Sequence, residues 1–454
     1  IMANTIEQSM TGVRGVADEI AFVAKDTSYT SEAKYRYACK VTINAQEIGT
    51  FKQLPNNADC TVFRLNDILS AYVKQEQNAW RLGAYDTSDT SNTTQIFSTN
   101  AYALEGVTLN FGYEYATTPE DSPTLYLNQY IITNLYAVNG SFQSVTEATN
   151  LPTKVENFQM DTPLKQFLSD VVIDDYLVYN QWVDANQYGA LAFLNGDNVG
   201  STKSGFLRVA FFNGGTTLNE GYFTNNSSGG GEAPTTGLTN GQSLLYVGCF
   251  PQNLESQTIV AGLKPSDVGN ANWTHYDIAM WDSATSGLRA SATYRFHNLG
   301  CSNQEKTYVL AWWNSVGGID QLVFDASHRE SQSMERSKFR QRGGNAFDAN
   351  GGTVPYTTNP YDGGLTSAGV QTTTSLELNT RNLKPETVTP LIRSLMNSDR
   401  VYAYGSGFGS SIVGENAYVR VFVTSGQMEY KTARNDRSVS YKVNVEVSRK
   451  RQNV

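Results

Sequence analysis

The chain has 454 residues, of which 17% are charged, 40% hydrophobic and 11% aromatic, and its formal net charge at pH 7 is -9. This aromatic content and low charge exclude a disordered chain, and Ala, Glu, Lys, Leu and Arg do not dominate as they do in a long coiled coil. The excess of 43 acidic over 34 basic residues argues against a duplex-binding surface. The length predicts more than one domain.

Period-two alternation of apolar and polar residues dominates the chain and predicts short strands, each with one buried face. Most of these segments end at Gly, Asn, Ser or Pro, which is typical of β-sandwiches. The predicted strands cover residues 35–43, 107–115, 206–212, 244–250, 291–297, 308–313, 418–424 and 439–447.

Helical patterns are few. Apolar residues at helical spacing over 63–72 predict one short helix, with Asn66 or Asp67 as its N-cap. Thr389-Pro390 predicts the start of another helix, because Thr suits the cap and Pro the first turn. Its apolar face would consist of Leu391, Ile392, Leu395 and Met396. Residues 162–168 predict a third short helix.

Polar stretches at 86–94, 225–231 and 340–374 predict long loops, and a charged run over 328–342 precedes the last. A loop that long is usually functional or ordered by a partner. We predict a mainly β, multi-domain fold of Ig-like or related β-sandwiches with a few short helices. The predicted domains are an N-terminal sandwich with one helix (1–155), a central sandwich with long loops (156–375) and a C-terminal helix-plus-strands module (376–454).

No catalytic signature is visible in the sequence. His275, His297 and His328 lack the spacing of metal ligands, and four cysteines in a long chain do not form a disulfide framework. The glycines of 405–409 are not followed by the Lys of a phosphate-binding loop, so a turn is expected there. We therefore predict no catalytic residue, no cofactor and no metal. A polysaccharide-degrading enzyme stays open as an alternative, since two carboxylates distant in sequence can converge in a fold.

The tryptophans suit either a core or a ligand platform. Trp182, Trp273, Trp281 and the pair Trp312-Trp313, with 26 tyrosines in the chain, would also fit a sugar-binding face. Alternation places Trp312 and Trp313 on opposite faces of a strand, so one of them is expected to meet another layer or subunit. The predicted core residues are Phe111, Tyr113, Trp312 and Leu395.

Basic clusters are local exceptions in this acidic chain, and a subunit-contact role is favoured over nucleic acid binding. The contact segments are expected to be 333–359 and the terminal strand that ends at 449–454. The predicted interface residues are Arg336, Lys338, Phe339, Arg340, Arg342, Tyr356, Tyr361, Arg449, Lys450 and Arg451.

Several motifs carry a resemblance to a known family. They are Val41-Thr42-Ile43-Asn44, the segment 63–73, Phe111-Gly112-Tyr113-Glu114-Tyr115, Phe167-Leu168-Ser169-Asp170, the segment 312–320 and the segment 376–413. Together they resemble a family of virion structural proteins from tailed phages of Bacteroidota, including crAss-like phages. The chain departs from the family pattern at Tyr113, Ser315 and Ile319.

The resemblance implies a non-enzymatic component of a phage tail, neck or baseplate, assembled in the bacterial cytoplasm into a symmetric ring or ring-attached layer. The implied partners are copies of the chain and other virion proteins, with contacts made by loops and by strand addition. Two alternatives stay open: a receptor- or carbohydrate-binding virion protein that binds a host-surface glycan, and a head-associated structural protein. No apolar run reaches the roughly 18 residues that span a bilayer, and the first residues lack the pattern of a signal peptide.

Overall fold

The computed structural model describes residues 4–26, 32–73, 97–99, 104–142, 154–160, 162–172, 178–185, 187–195, 205–224, 244–255, 262–269, 273–282, 287–300, 307–341, 364–405, 418–425, 439–447 and 451–453. Within these ranges the chain is mainly β, with several sheets and few helices, as expected from its alternating sequence. The predicted loops at 86–94 and 225–231 and the glycines of 406–409 lie outside the described residues.

Each of the eight segments predicted as strands overlaps one, and the described chain has further strands between them. The first nine are Asn4–Gln8 (β1), Gly12–Gly15 (β2), Ala21–Asp26 (β3), Ala33–Ile43 (β4), Gln46–Gln53 (β5), Cys60–Arg64 (β6), Phe97–Thr99 (β7), Leu104–Ala116 (β8) and Thr124–Val138 (β9). The next ten are Gln159–Met160 (β10), Val178–Val183 (β11), Leu191–Asn195 (β12), Phe206–Asn213 (β13), Thr216–Thr224 (β14), Leu244–Val247 (β15), His275–Trp281 (β16), Thr293–Asn298 (β17), Tyr308–Trp313 (β18) and Ile319–Phe324 (β19). The last six are Arg329–Gln341 (β20), Gly364–Asn379 (β21), Val401–Gly405 (β22), Val419–Val423 (β23), Lys442–Val447 (β24) and Arg451–Asn453 (β25).

Two compact units make up the chain: the first comprises Ile1–Cys301 and Trp312–Leu322, and the second Ser302–Ala311 and Val323–Val454. The positions of the predicted boundaries, residues 155 and 375, lie in a 3-10 helix over Lys154–Phe158 and inside β21, respectively. The division into three domains stays a prediction.

The first unit begins with a sandwich of two sheets, in strand orders β1-β3-β6 and β2-β9-β8-β4-β5. Their facing sides share one apolar core, to which β3 contributes Phe22, β6 contributes Phe63 and β8 contributes Phe111. The rings of Phe22 and Phe63 lie 5.7 and 5.9 Å from that of Phe111, a spacing at which tilted aromatic pairs attract. Leu69 of the helix Asn66–Tyr72 (α1) closes the same core.

A second pair of sheets in the first unit has the orders β10-β12-β15-β7 and β11-β17-β16-β13-β14. Phe167 joins them, because its ring packs edge-on against Phe193 of β12 at 5.9 Å and against Tyr294 of β17 at 5.3 Å. The Tyr276 hydroxyl of β16 donates a hydrogen bond to the Cys249 carbonyl beside β15, at 2.9 Å. A short helix, Pro251–Glu255 (α2), follows β15.

A further sheet has the order β19-β18-β22-β23-β24-β21-β20, and β25 pairs with β21. The unit boundaries fall after Cys301, within β18 and within β19. The helix Pro385–Asn397 (α3) follows β21 and buries Val388, Leu391, Ile392 and Leu395. None of the helices in the described part of the chain is long and apolar enough to cross a membrane.

The helix predictions need three corrections. Residues 63–65 do not begin α1, because Phe63 belongs to β6 and the helix begins at Asn66 with no side-chain cap. The Asn66 side chain instead binds the carbonyl oxygens of Val16 and Asp18, which takes it away from the helix terminus. α3 begins at Pro385 rather than after Thr389, so Pro390 lies inside it; the extra turn buries Val388 next to the predicted face.

The predicted helix over 162–168 is wrong, since the described part of this segment forms turns. Its backbone pairs with distant segments instead: the Leu168 N–H donates to the Ala192 carbonyl at 2.7 Å, and the Gln166 N–H to the Asn157 carbonyl at 2.8 Å. The predicted loop over 340–374 is also wrong where it is described, because β20 runs to Gln341 and β21 begins at Gly364. Cross-strand pairing outweighs the loop-like composition there.

Candidate functional site

Four of the predicted contact residues, Arg336, Lys338, Phe339 and Arg340, lie on a long two-stranded ribbon, which is formed by β20 and β21 and called here the β20–β21 ribbon. The two strands pair antiparallel from Arg329 opposite Glu377 to Gln341 opposite Gly364. β24 pairs only with Ser375–Asn379 of β21, and β25 only with Val370–Thr372. The end of the ribbon, with its β21 residues 364–369, therefore has no further strand beside it within the described ranges.

One face of the ribbon carries a row of cations. Arg336, Lys338 and Arg340 are spaced by two residues along β20, so their side chains share a face. Leu365 lies opposite Arg340 and so shares it too. Met334 precedes the row on the same face, which is called here the basic face.

The ribbon side chains are exposed rather than packed. All β20 residues from Arg329 to Arg340 are exposed, including Met334 (56%) and Phe339 (47%), and Leu365 of β21 is 78% exposed. An isolated two-stranded ribbon is marginally stable in water, and exposed apolar side chains on it cost free energy until they are covered. β20 is also an edge strand, with backbone groups able to pair with another strand.

The predicted interface residues divide into three groups. Arg336, Lys338, Phe339 and Arg340 are exposed on β20, with Phe339 on the face opposite the cations. Arg451 begins β25, which pairs with β21 of the same chain. Arg342, Tyr356, Tyr361, Arg449 and Lys450 lie outside the described residues. The interface role of all ten stays a prediction.

The four residues predicted for the core are buried. Phe111, Trp312 and Leu395 have no exposed surface, and Tyr113 is 8% exposed. Trp313 is buried as well, so both faces of β18 are covered. Among the described residues, no three His, Cys, Asp or Glu side chains are grouped as metal ligands would be.

A buried aspartate, Asp18, anchors the turn after β2. The Asp18 carboxylate accepts hydrogen bonds from the Ser141 hydroxyl and the Phe142 N–H, both at 2.7 Å, and from the Gly15 N–H at 3.0 Å. Asp18 is 1% exposed, and these donors offset the cost of burying its charge. The neighbouring Ser141 N–H donates to the Ser315 carbonyl at 2.7 Å, which links this turn to the segment before β19.

A second buried aspartate, Asp320, joins two motifs of the resemblance. Its carboxylate accepts hydrogen bonds from the Ser169 hydroxyl, from the Asp170 N–H at 2.8 Å and from the Asn314 side-chain amide at 3.0 Å. Asn314 also donates to the Leu168 carbonyl at 2.9 Å. The segments 168–170 and 314–320 are thus held together by side chains rather than by strand pairing.

The Asp320 carboxyl is harder to ionise than an ordinary aspartate. Burial, and then the negative charge of Asp170, raise its pKa to about 7. The Asp170 carboxyl is close enough to act on the charge of Asp320, and two neighbouring carboxyl groups are what a glycosidase requires. Asp320 is only 2% exposed and its oxygens are occupied by three donors, so this pair serves to hold the chain rather than to face a substrate.

The raised pKa of Asp320 predicts a pH-dependent stability. The folded chain keeps a proton on Asp320 that an unfolded chain releases near pH 4, so the free energy of unfolding falls as the pH rises from about 4 to about 7 and then levels off. Between about pH 5.5 and about pH 7.5 the free energy of unfolding of the wild-type chain should fall by about 2 kcal/mol relative to that of Asp320→Asn, because the amide of Asn does not titrate. Urea melts of both proteins across this range measure the difference. Parallel pH profiles would contradict the assignment.

The burial of these two aspartates was not predicted from the sequence, because nothing local distinguishes a buried acid among 43 acidic residues. One signal in the sequence was usable: Asn314 and the Gly317-Gly318 pair are typical of a tight turn. In the structure the side-chain oxygen of Asn314 accepts a hydrogen bond from the Gly318 N–H at 2.8 Å. This signal does not indicate that the turn contacts Leu168, which is distant in the sequence.

Comparisons with known proteins add little. No family model matches the chain, and no curated protein matches it. One solved structure that aligns with the chain is described as "Ca2+-stabilized adhesin helps an Antarctic bacterium reach out and bind ice"; it is 11% identical, with 96% of this chain and 95% of that chain covered, at a TM-score of 0.17. This TM-score is too low to indicate a shared fold or a shared function.

Proposed function

We propose that the chain is a structural component of a phage virion, and that it assembles with copies of itself into a symmetric ring or ring-attached layer of the tail, neck or baseplate. The observation that carries the assembly is the β20–β21 ribbon. The phage setting rests on the motifs of residues 41–73, 111–115, 167–170, 312–320 and 376–413 in the sequence. The contacts are made by strands and their exposed side chains, with no chemical step.

The length and exposure of the ribbon support an assembly role. β20 has 13 residues and β21 has 16, well above the usual strand length of about five or six. Natural edge strands are usually kept short or covered, because their unpaired backbone groups attract other chains. A long exposed edge with Met334, Phe339 and Leu365 on its surface is therefore best explained by a partner that covers it.

Charge supports a second copy as that partner. The basic face carries Arg336, Lys338 and Arg340, whereas the whole chain has a net charge of -9. A cationic arm on an acidic protein is attracted to the acidic surface of another copy, and charge complementarity fixes orientation as well as attraction. A head-to-tail contact of this kind closes into a ring when the rotation between neighbours permits.

The test is the oligomeric state of the purified chain. We expect multi-angle light scattering and negative-stain images to show a closed oligomer, and the triple variant Arg336→Glu/Lys338→Glu/Arg340→Glu to be monomeric, because the reversed charges repel the acidic neighbour. Raising the salt concentration should weaken the wild-type oligomer, since exposed ion pairs are screened.

The matched control is Lys384→Glu/Arg393→Glu/Arg420→Glu, which makes the same change in charge at three exposed positions of the second unit outside the ribbon. This variant should assemble as the wild type does. A wild-type chain that stays monomeric at high concentration would refute the proposed assembly. An oligomer that survives the ribbon variant would place the contact elsewhere and refute the role of the basic face.

A further inference from the structure

The hairpin of β8 and β9 in the N-terminal sandwich exposes an apolar stretch. Four large apolar or aromatic side chains are exposed within seven consecutive positions of β9: Leu125 (39%), Tyr126 (39%), Tyr130 (40%) and Ile131 (50%). Single exposed apolar side chains are common on protein surfaces, whereas a contiguous group of them indicates a contact surface. Residues 124–131 of β9 are called here the β9 patch.

The β9 patch lies at an open edge of its sheet. β8 pairs with β9 on one side, but on the other side β2 pairs only with Leu135–Val138 of β9. No strand is therefore paired with that side of the β9 patch within the described ranges. A bulge interrupts the patch at Asn128, whose φ is 65° and whose N–H donates to the Asn110 side chain at 2.7 Å. Bulges of this kind hinder the pairing of a further strand, so a partner would contact the patch through side chains.

An acidic turn borders the β9 patch. Glu120 and Asp121 lie in the exposed turn between β8 and β9, and neither these strands nor the turn contains a lysine or arginine. Cations of β4 and β5 offset part of the negative charge of the hairpin: Lys34 donates to the Asp121 carbonyl oxygen at 2.8 Å, and Lys52 pairs with Glu114. At the turn, two carboxylates remain against the one ammonium group of Lys34.

The end of the β20–β21 ribbon has the complementary composition. Residues 336–341 and 364–369 contain the three cations of the basic face and no acidic residue. They also expose Phe339 (47%) and Leu365 (78%). Both surfaces thus combine exposed apolar side chains with a charge, which is positive on the ribbon and negative beside the β9 patch. Burial of the apolar side chains would supply affinity, and the opposite charges would fix the orientation.

We infer that the β9 patch and its acidic turn are the surface on which the β20–β21 ribbon of a neighbouring copy docks. The inference deepens the proposed assembly and rests on it, since it names the partner of the ribbon contact. The contact is head-to-tail, because each copy offers one ribbon and one β9 patch from different segments of the chain, and such contacts can close into a ring. Contacts between two identical surfaces are disfavoured, because two acidic turns, or two basic faces, would repel each other.

The test reverses the charge of each surface in turn and then combines the two variants. The turn variant, Glu120→Lys/Asp121→Lys, should raise the protein concentration at which light scattering detects oligomers by about tenfold or more, because its turn repels the basic face. The ribbon variant, Arg336→Glu/Lys338→Glu/Arg340→Glu, should be monomeric. An equimolar mixture of the two variants should again form oligomers, because each reversed surface then meets a surface of opposite charge on the other chain.

The matched control for the turn variant is Glu19→Lys/Glu47→Lys, which makes the same change in charge at two exposed positions of the sandwich outside the hairpin. It should assemble as the wild type does, and it should not restore assembly of the ribbon variant.

A second variant tests the apolar part of the contact without changing any charge. The patch variant, Leu125→Ser/Ile131→Ser, should also raise the concentration needed for assembly by about tenfold or more, since it removes exposed apolar side chains that the ribbon would cover. Its control is Leu218→Ser/Leu288→Ser, which removes two side chains that are 39% and 72% exposed elsewhere in the first unit, and which should assemble as the wild type does.

Circular dichroism of each variant separates a lost contact from a lost fold. If the ribbon variant is monomeric but a folded turn variant or patch variant assembles as the wild type does, the ribbon docks elsewhere, and the inference is overturned while the proposed assembly stands. A mixture of two monomeric variants that stays monomeric also overturns the pairing of these two surfaces. A monomeric wild type, or a ribbon variant that assembles, refutes the ribbon contact itself and the inference with it.

Discussion

Gly318→Ala is expected to lower the free energy of unfolding by about 5 kcal/mol or more. A methyl group at this position would overlap the carbonyl oxygen of Leu168 and come within 2.8 Å of its carbonyl carbon and Cβ. The obstacle is backbone, which cannot rotate away as a flexible side chain can. The Gly318 N–H is also held at 2.8 Å by the side chain of Asn314, so the turn cannot move without losing that bond. Urea unfolding followed by tryptophan fluorescence measures the change.

Gly215→Ala is the matched control for this substitution. Gly215 lies in the turn between β13 and β14, and an added methyl group would meet nothing within 4 Å. Its effect should be within about 0.5 kcal/mol. If Gly318→Ala were no more harmful than Gly215→Ala, the close approach of residues 168 and 318 would be refuted.

Phe111→Ala is expected to cost about 3–5 kcal/mol, because it leaves a cavity at the centre of the N-terminal sandwich. The side chain is fully buried, and its ring is in contact distance of Phe22 and Phe63 from the facing sheet. The same cavity removes packing on both sheets, so neither side can collapse into it easily. The midpoint of urea unfolding, together with the slope of the transition, measures the loss.

Phe422→Ala serves as the control for loss of an exposed aromatic side chain. Phe422 is 53% exposed, so its removal should change the free energy of unfolding by no more than about 0.5 kcal/mol. A cost below about 1 kcal/mol for Phe111→Ala would mean that the two sheets do not pack around this ring.

The strand class, and the buried face of the strands that have only one, could be predicted from the sequence, because they depend on neighbouring residues. The prediction of one buried face is wrong for β15 and β18, which are buried on both faces, as is β19. The alternation over 35–43 predicts β4, and its residues Tyr37, Cys39 and Val41 are buried. The same local logic predicted the apolar face of α3, although it placed the start of the helix too late. Pro385 and Pro390 both suit the first turn of a helix. The helix begins at Pro385, because the longer helix buries Val388.

The basic residues of the candidate contact surface could be predicted from the sequence, but the strand that carries them could not. The basic residues of β20 are visible in the sequence, yet the run around them is polar on both faces and therefore resembles a loop. An exposed strand carries no alternation of apolar and polar residues, so the usual signal is missing. What identifies the strand is its pairing with β21, whose first paired residue, Gly364, lies opposite Gln341.

The amino-acid sequence by itself determined that this protein is built of strands, since the two-residue period of its apolar side chains is a property of each segment alone. The tertiary structure decided which strands are neighbours, and with them every candidate site. Asp170 and Asp320 are 150 residues apart in the chain, and the neighbouring side chains of Trp182, His297, His275 and Phe212 come from four different strands. Such contacts depend on the register of whole sheets, because a shift of one residue would turn each of these side chains to the other face.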